Sequence, residues 1–274
     1  MNLTTIIGLV VGFGSLMVSL VMEGGDLLSF LKPSAALIVF GGTFGATFIS
    51  FPGSLIARFP KIVMRAFFNK SVRVSELADV LVNLSERARR EGLLALEEEL
   101  AGIENPLLKK GIMLVVDGTD PDLVRGVLES DIAVREREAE GESGMLEAMG
   151  GFAPTMGIIG TVMGLVNVLA KMDDPSKLGE SIAVAFIATF YGIGSANLMW
   201  LPFGTKLKKI TESEQVLDEM ILEGVASIQS GENPRILQER LSPFLTGEKK
   251  GKEAKEQEGD GIAGSARQEA PGQA

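Results

Sequence analysis

The chain has 274 residues, a net charge of −10, 46% hydrophobic but only 6% aromatic residues, 33 glycines, and neither cysteine nor histidine. Disulfides and thiolate metal sites are thereby excluded, and the commonest general base and metal ligand is missing. With no phosphate-cradling loop, Walker motif or metal-ligand cluster, neither an enzyme nor a cofactor or metal protein is expected, and an acidic chain of this kind is not expected to bind nucleic acid.

In chain order, residues 1–57 hold two uncharged apolar runs, Met1–Met22 and Pro33–Ala57. Each is long enough for the roughly 20 residues that cross a bilayer core. The first has no basic start and no small-x-small cleavage site before Glu23, so it reads as a span rather than a removable signal. Residues 58–147 form a charged block with helical periodicity. Leu77, Val80, Leu81, Leu84 and Ala88 make an amphipathic stripe. Asn105-Pro106, Asp120-Pro121 and, later, Asn233-Pro234 read as helix starts, because proline at the first helical position gives up only an N–H that is orphaned there anyway.

Residues 148–205 carry two more uncharged runs, Ala148–Ala170 and Ser181–Thr205. Ile210, Leu217, Ile221, Val225 and Ile228 continue a helical stripe through 206–245, as one rod with the fourth span. The stretch 246–274 is polar, of mixed charge and glycine-rich, and is expected to be a disordered tail. The expected fold is therefore all-α: four membrane spans in two hairpins around a helical domain. Arg58, Lys61, Arg65, Lys70 and Arg73 follow the second span and Lys206, Lys208 and Lys209 follow the fourth. The excess of Lys and Arg there places 58–147, 206–274 and both termini in the cytoplasm.

The second hairpin holds the chemistry. Pro154 lies six residues inside one end of the third span and Pro202 three residues inside the matching end of the fourth. They form either a paired hinge and water-accessible vestibule or two ordinary membrane prolines. Thr161 and Thr189 come out at about 20 and 24 Å from that same end, at about 1.5 Å per residue. They are either interhelical packing residues or the lining of an ion path. Gly157, Gly160 and Gly164 leave a small-residue face for close backbone approach. None of the four runs contains Asp, Glu, Lys, Arg or His. An ion path that works by titration needs one, so its carboxylate must come from a second membrane polypeptide. In the block between the hairpins, "RREGLLALEEELAGIENP" (Arg89–Pro106) is either a solvated charged surface or a docking face for a charged partner.

The stretches "GGFAPTMGIIGTVMGLVNVL", "AVAFIATFYGIGSANLMWLPFGTKLK", "REGLLALE…IENP" and "NPRILQERL" resemble the MotA/PomA stator proteins of the bacterial flagellar motor over about residues 1–245. The resemblance implies an inner-membrane stator subunit that turns ion flow into torque. It assigns Arg89 and Glu97 of R-x-x-G-x-x-x-x-E to contact with the rotor protein FliG, with Arg90 and Glu98 as neighbours able to share the role. It assigns Pro154 and Pro202 to conformational coupling, and Thr161 and Thr189 to the ion path. A MotB or PomB partner brings the missing aspartate, and five copies of this chain surround two of the partner. The transported ion is H+ or Na+. Ala188-Thr189 stands where sodium-type members often have two threonines, which favours H+. The alternatives are a TolQ/ExbB-like energising subunit, whose relatives have three spans, and a membrane-anchored scaffold without transport.

Overall fold

The computed structural model describes residues 3–68, 73–170 and 175–245. The expected tail at 246–274 lies outside them. Among the described residues every regular element is helical, and four helices are long and apolar enough to cross a membrane. This is the all-α architecture expected: in lipid, a helix satisfies its backbone polar groups without water. The chain divides into two compact units, residues 1–70 with 136–212, and 71–135 with 213–274.

The first unit contains the spans. Helix α1 (Leu3–Met22) buries none of its residues, so its Val10, Val11, Val18 and Val21 all stay on the surface, as suits a lipid-facing helix. A short turn, Leu27–Phe30, is capped by Asp26, whose carboxylate accepts from the Leu28 N–H. The second span follows as α2 (Pro33–Ala36), a π-helical turn (Leu37–Gly41) and α3 (Gly42–Ser50). It stops at Ser50, short of the expected Ala57. Phe51 is extended (φ −124°, ψ 150°), the conformation that a following proline, here Pro52, imposes. The chain then restarts as α4 (Gly53–Ala57) and α5 (Phe59–Phe67). Helix α8 (Pro121–Ala170) runs for 50 residues through Pro154. The return is α9 (Pro175–Ser195), a π-helical turn (Ala196–Trp200) and α10 (Leu201–Gln229). The two units share α8 and α10. A core of Ile62, Met145, Leu146, Met149, Ala153, Trp200, Phe203 and Leu207 joins α5, α8 and α10.

The second unit is built by α6 (Val74–Glu91), a 3-10 stretch (Leu93–Ala101), α7 (Pro106–Val116), parts of α8 and α10, and a last helix α11 at 234–245. All three expected caps form: Asn105 accepts from the N–H groups of Leu107 and Leu108, Asp120 from Asp122 and Leu123, and Asn233 from Arg235. The stripe on α6 buries Leu77, Leu81, Leu84 and Ala88 against Leu217, Ile221, Val225 and Ile228. Val80 departs from it. At 41% exposed, it sits at the edge of the packed face.

Candidate functional site

Helices α8 and α9 cross where the small residues lie. A Cβ on Gly157 would come within 3.0 Å of the Ala188 carbonyl and 3.1 Å of the Thr189 Cα. One on Gly160 or Gly164 would meet Ala188 or Ala185, and one on Gly192 would lie 2.5 Å from the Ala153 carbonyl. The glycines therefore set the separation of the two helices, the close approach that small residues permit in membranes.

That approach brings Thr161 and Thr189 together, and their hydroxyls hydrogen-bond to each other. The Thr161 Oγ1 also lies 3.1 Å from the Gly157 carbonyl and 3.0 Å from the Ala185 carbonyl, while Thr189 reaches the Gly157 carbonyl at 3.5 Å. A threonine hydroxyl has one proton to give. Thr161 thus has three oxygens to choose from and can serve only one, so the cluster can rearrange its protons without moving a helix. Both threonines are half-buried. Beside them Ile158, Ile159 and Val162 of α8 and Phe186 and Ile193 of α9 are apolar and exposed. The cluster offers hydroxyl and carbonyl oxygens and no charge.

Pro154 is half-buried inside α8 and Pro202 exposed at the second position of α10. The π-helical turn just before Pro202 has a steric cause. A proline ring clashes with the carbonyl four residues back, and the wider turn relieves it, sending the Leu201 N–H to the Ala196 carbonyl instead. The segments carrying the two prolines pack together, with Leu201 against Gly150.

In the second unit, Arg89 and Arg90 are exposed in the last turn of α6. The chain then reverses at Gly92, whose φ of +90° is strained for residues with a Cβ, and enters the stretch bearing Glu97 and Glu98. Arg89, Arg90 and Glu97 have no ion-pair partner among the described residues. Glu98 does: Arg87 binds it at 2.6 Å, binds Glu91 at 3.1 Å and also holds Glu99. The hydrogen bond to Glu91, then that to Glu99, raises the guanidinium pKa above its ordinary value. Of the four docking candidates, three stay free for a partner and one is tied into the fold. Arg89 also lines a cavity of about 220 Å³ with Ser85, Gly92, Gly231 and Glu232.

Residues 6–92 match the model of the Motility protein A N-terminal region and residues 99–220 that of the MotA/TolQ/ExbB proton channel family. Motility protein A of Borreliella burgdorferi is 41% identical over 90% of this chain and 95% of its own. The chain belongs to the MotA family. The structure of C. jejuni MotAB superposes with a TM-score of 0.84 at 32% identity, covering 89% of this chain and 96% of that one. The flagellar MotAB stator complex of Bacillus subtilis gives 0.82 at 33%, covering 88% and 95%.

Sequence reasoning missed two features of this MotA-family chain. Arg87 is not singled out by the sequence pattern, although all three of its carboxylate partners, Glu91, Glu98 and Glu99, lie within twelve residues of it. Glu142, 4% exposed, accepts from Arg58 at 2.7 Å and from Arg65 at 2.9 Å, and Arg58 also binds Glu138 at 3.0 Å. The Glu138 hydrogen bond, then the charge of Glu142, raises the Arg58 pKa. Arg58 and Arg65 had been counted only as inside-facing charge. Their spacing of seven, facing glutamates four apart, was the available signal for a clamp between α5 and α8.

Proposed function

We propose that this stator subunit of the flagellar motor lends the threonine cluster of α8 and α9 to a proton path whose titrating carboxylate belongs to a MotB-type partner. The observation that carries the reading is the Thr161–Thr189 pair, set between carbonyls in a hairpin whose uncharged runs hold no Asp, Glu, Lys, Arg or His. Hydroxyls and carbonyls can solvate and orient a hydrated proton, but they do not bind and release it near neutral pH. An aspartate in the partner's span supplies that step. The apolar, exposed faces beside the cluster are the surface on which such a span would pack, with five copies of this chain around two of the partner. The lysines and arginines after Ser50 and after Thr205 put the block between the hairpins and both termini in the cytoplasm. There Arg89, Arg90 and Glu97 meet the rotor protein FliG, while Glu98 shapes the face from within.

Ion passage acts on the rotor through the helices that leave the membrane, with Pro154 and Pro202 as the places where they yield. The N-terminal match at 6–92 and the two spans before the charged block argue against a TolQ/ExbB-like role. Deleting the gene should leave cells paralysed with intact filaments, and swimming speed at fixed pH should not change with sodium concentration. An envelope defect with normal swimming would overturn the stator reading. A speed that rises with sodium would overturn the proton. Thr161→Val or Thr189→Val should lower speed with the complex still assembled, and Thr161→Ser should retain more than half of it. Normal swimming by both valine variants would remove the threonines from the path.

A further inference from the structure

Among the described residues, α9 hydrogen-bonds to other elements in two places. One is the threonine cluster. The other is Tyr191, the chain's only tyrosine, half-buried on α9. Its hydroxyl donates to the Phe30 carbonyl and lies 3.4 Å from the Lys32 nitrogen. Those two backbone groups also bond to each other at 3.1 Å, and Leu31 between them (φ −83°, ψ 86°) makes an inverse γ-turn. Lys32 is extended (φ −111°, ψ 101°), the conformation imposed by a following proline, and Pro33 opens the second span. Tyr191 therefore grips a short, stiff corner rather than a loose loop. Aromatic packing backs the grip: the Phe40 ring lies 6.3 Å from that of Tyr191, and Phe190 stands edge-on to Phe30 at 5.6 Å.

Tyr191 and Thr189 are two residues apart, about 200° around the helix. Thus α9 is held on opposite sides, by α8 through Thr189 and by the start of the second span through Tyr191. The two holds differ in kind. On the α8 side, Gly160 faces Ala188 and Gly164 faces Ala185. Such small-residue faces permit close approach but raise only low ridges, so they resist sliding and rotation weakly. The threonine bonds are the ones that exchange when Thr161 changes acceptor, so they cannot also fix the helix during the exchange. The Tyr191 hydroxyl takes no part in it. Hydrogen bonds fade beyond about 3.5 Å, so a shift of α9 by roughly 1 Å is enough to part the two threonines.

We propose that Tyr191 is a positioning residue: its hydroxyl, locked on the corner that starts the second span, fixes the rotation and axial register of α9 and so keeps Thr189 opposite Thr161. The importance of that register for ion passage rests on the proton-path reading above. The register itself does not.

The chain has no cysteine, so an introduced pair reports without background. Thr161→Cys with Thr189→Cys puts two thiols where the bonded hydroxyls stand, close enough for a disulfide. The assembled complex, with a cysteine-free MotB-type partner in nanodiscs, is oxidised for timed intervals, denatured and alkylated, and the disulfide is counted by intact mass. Tyr191→Phe keeps the ring and removes only the hydroxyl. It should slow disulfide formation by about threefold or more, the scale of one lost hydrogen bond. Glu142→Gln, which loosens a distant part of the same unit, should leave the rate unchanged. An unchanged rate in Tyr191→Phe, or equal slowing by both variants, would overturn the positioning role. In swimming cells with natural threonines, Tyr191→Phe should reduce speed, with assembled complex quantified alongside, and it should cost nothing further in a Thr189→Val background. Equal losses in both backgrounds would mean that Tyr191 does not act through Thr189. Slowed cross-linking with normal swimming would overturn its part in ion passage, while normal swimming of Thr189→Val itself would fault the threonine path instead.

Discussion

At the scale of single residues, the glycines of α8 and α9 do more than relax the backbone. Gly192 lies against the Ala153 carbonyl, where a Cβ would be 2.5 Å away with backbone on the far side. Backbone cannot swing aside as a flexible side chain can, so the two helices must separate. Overpacking of this kind costs about 1–3 kcal/mol. It would also pull Thr189 away from Thr161. Gly192→Ala should therefore lower the thermal unfolding midpoint of the purified complex and reduce swimming. Gly144→Ala is the matched control. Nothing lies within 4 Å of its Cβ position, and alanine in a helix interior is favoured over glycine by about 1 kcal/mol. Equal behaviour of the two variants would mean that the crossing is looser than its geometry indicates.

At the scale of elements, two charged clusters hold segments in register. Glu142 is nearly buried, and its two arginines come from the two ends of α5, Arg58 at its start and Arg65 in its last turn, so it fastens that helix to α8. Removing one partner of a buried pair costs about 3–5 kcal/mol. The arginine side chains here are 46% and 30% exposed, and water screens what remains, which brings the expected loss for Glu142→Gln to about 1–2 kcal/mol. Thermal unfolding of the variant complex measures it, and an unchanged midpoint would show that solvent replaces the clamp. On the proposed docking face the distribution of partners separates roles. Arg89→Glu should abolish most swimming with assembly intact, and an opposite reversal on the rotor protein should restore part of it, because steering charges act across the interface. Arg87→Ala should also impair swimming, but no rotor reversal should rescue it, since Arg87 holds Glu98 and Glu99 rather than a partner. Rescue of both by the same rotor change would contradict this division. Element ends show where the sequence was legible. The three Asx-Pro starts and the buried stripes could be placed because each depends on neighbours three or four residues away. The stop at Ser50 was missed because hydrophobicity continues past it. Only the constraint of Pro52 on Phe51 ends the helix, and apolar composition conceals it.

At the scale of the whole molecule, the four spans, the all-helical class and the two aligned threonines were readable, since bilayer thickness turns residue counts into depths. The clamp at Glu142 and the hub at Arg87 were not. The clamp depends on helices 80 residues apart in sequence meeting, and the hub on how the chain folds back after Gly92, and no spacing along one helix encodes either alone. The central claim of the proposed function also concerns the whole molecule: the chain would line a proton path but could not run it, because its spans contain no Asp, Glu, Lys, Arg or His. The most direct measurement is proton flux into liposomes under an imposed potential, read by an internal pH-sensitive dye, with this chain alone and with its MotB-type partner co-assembled. The chain alone should insert and stay silent, and flux should appear only with the partner and vanish when the aspartate in the partner's span becomes asparagine. Robust flux through liposomes that contain this chain alone would contradict the account.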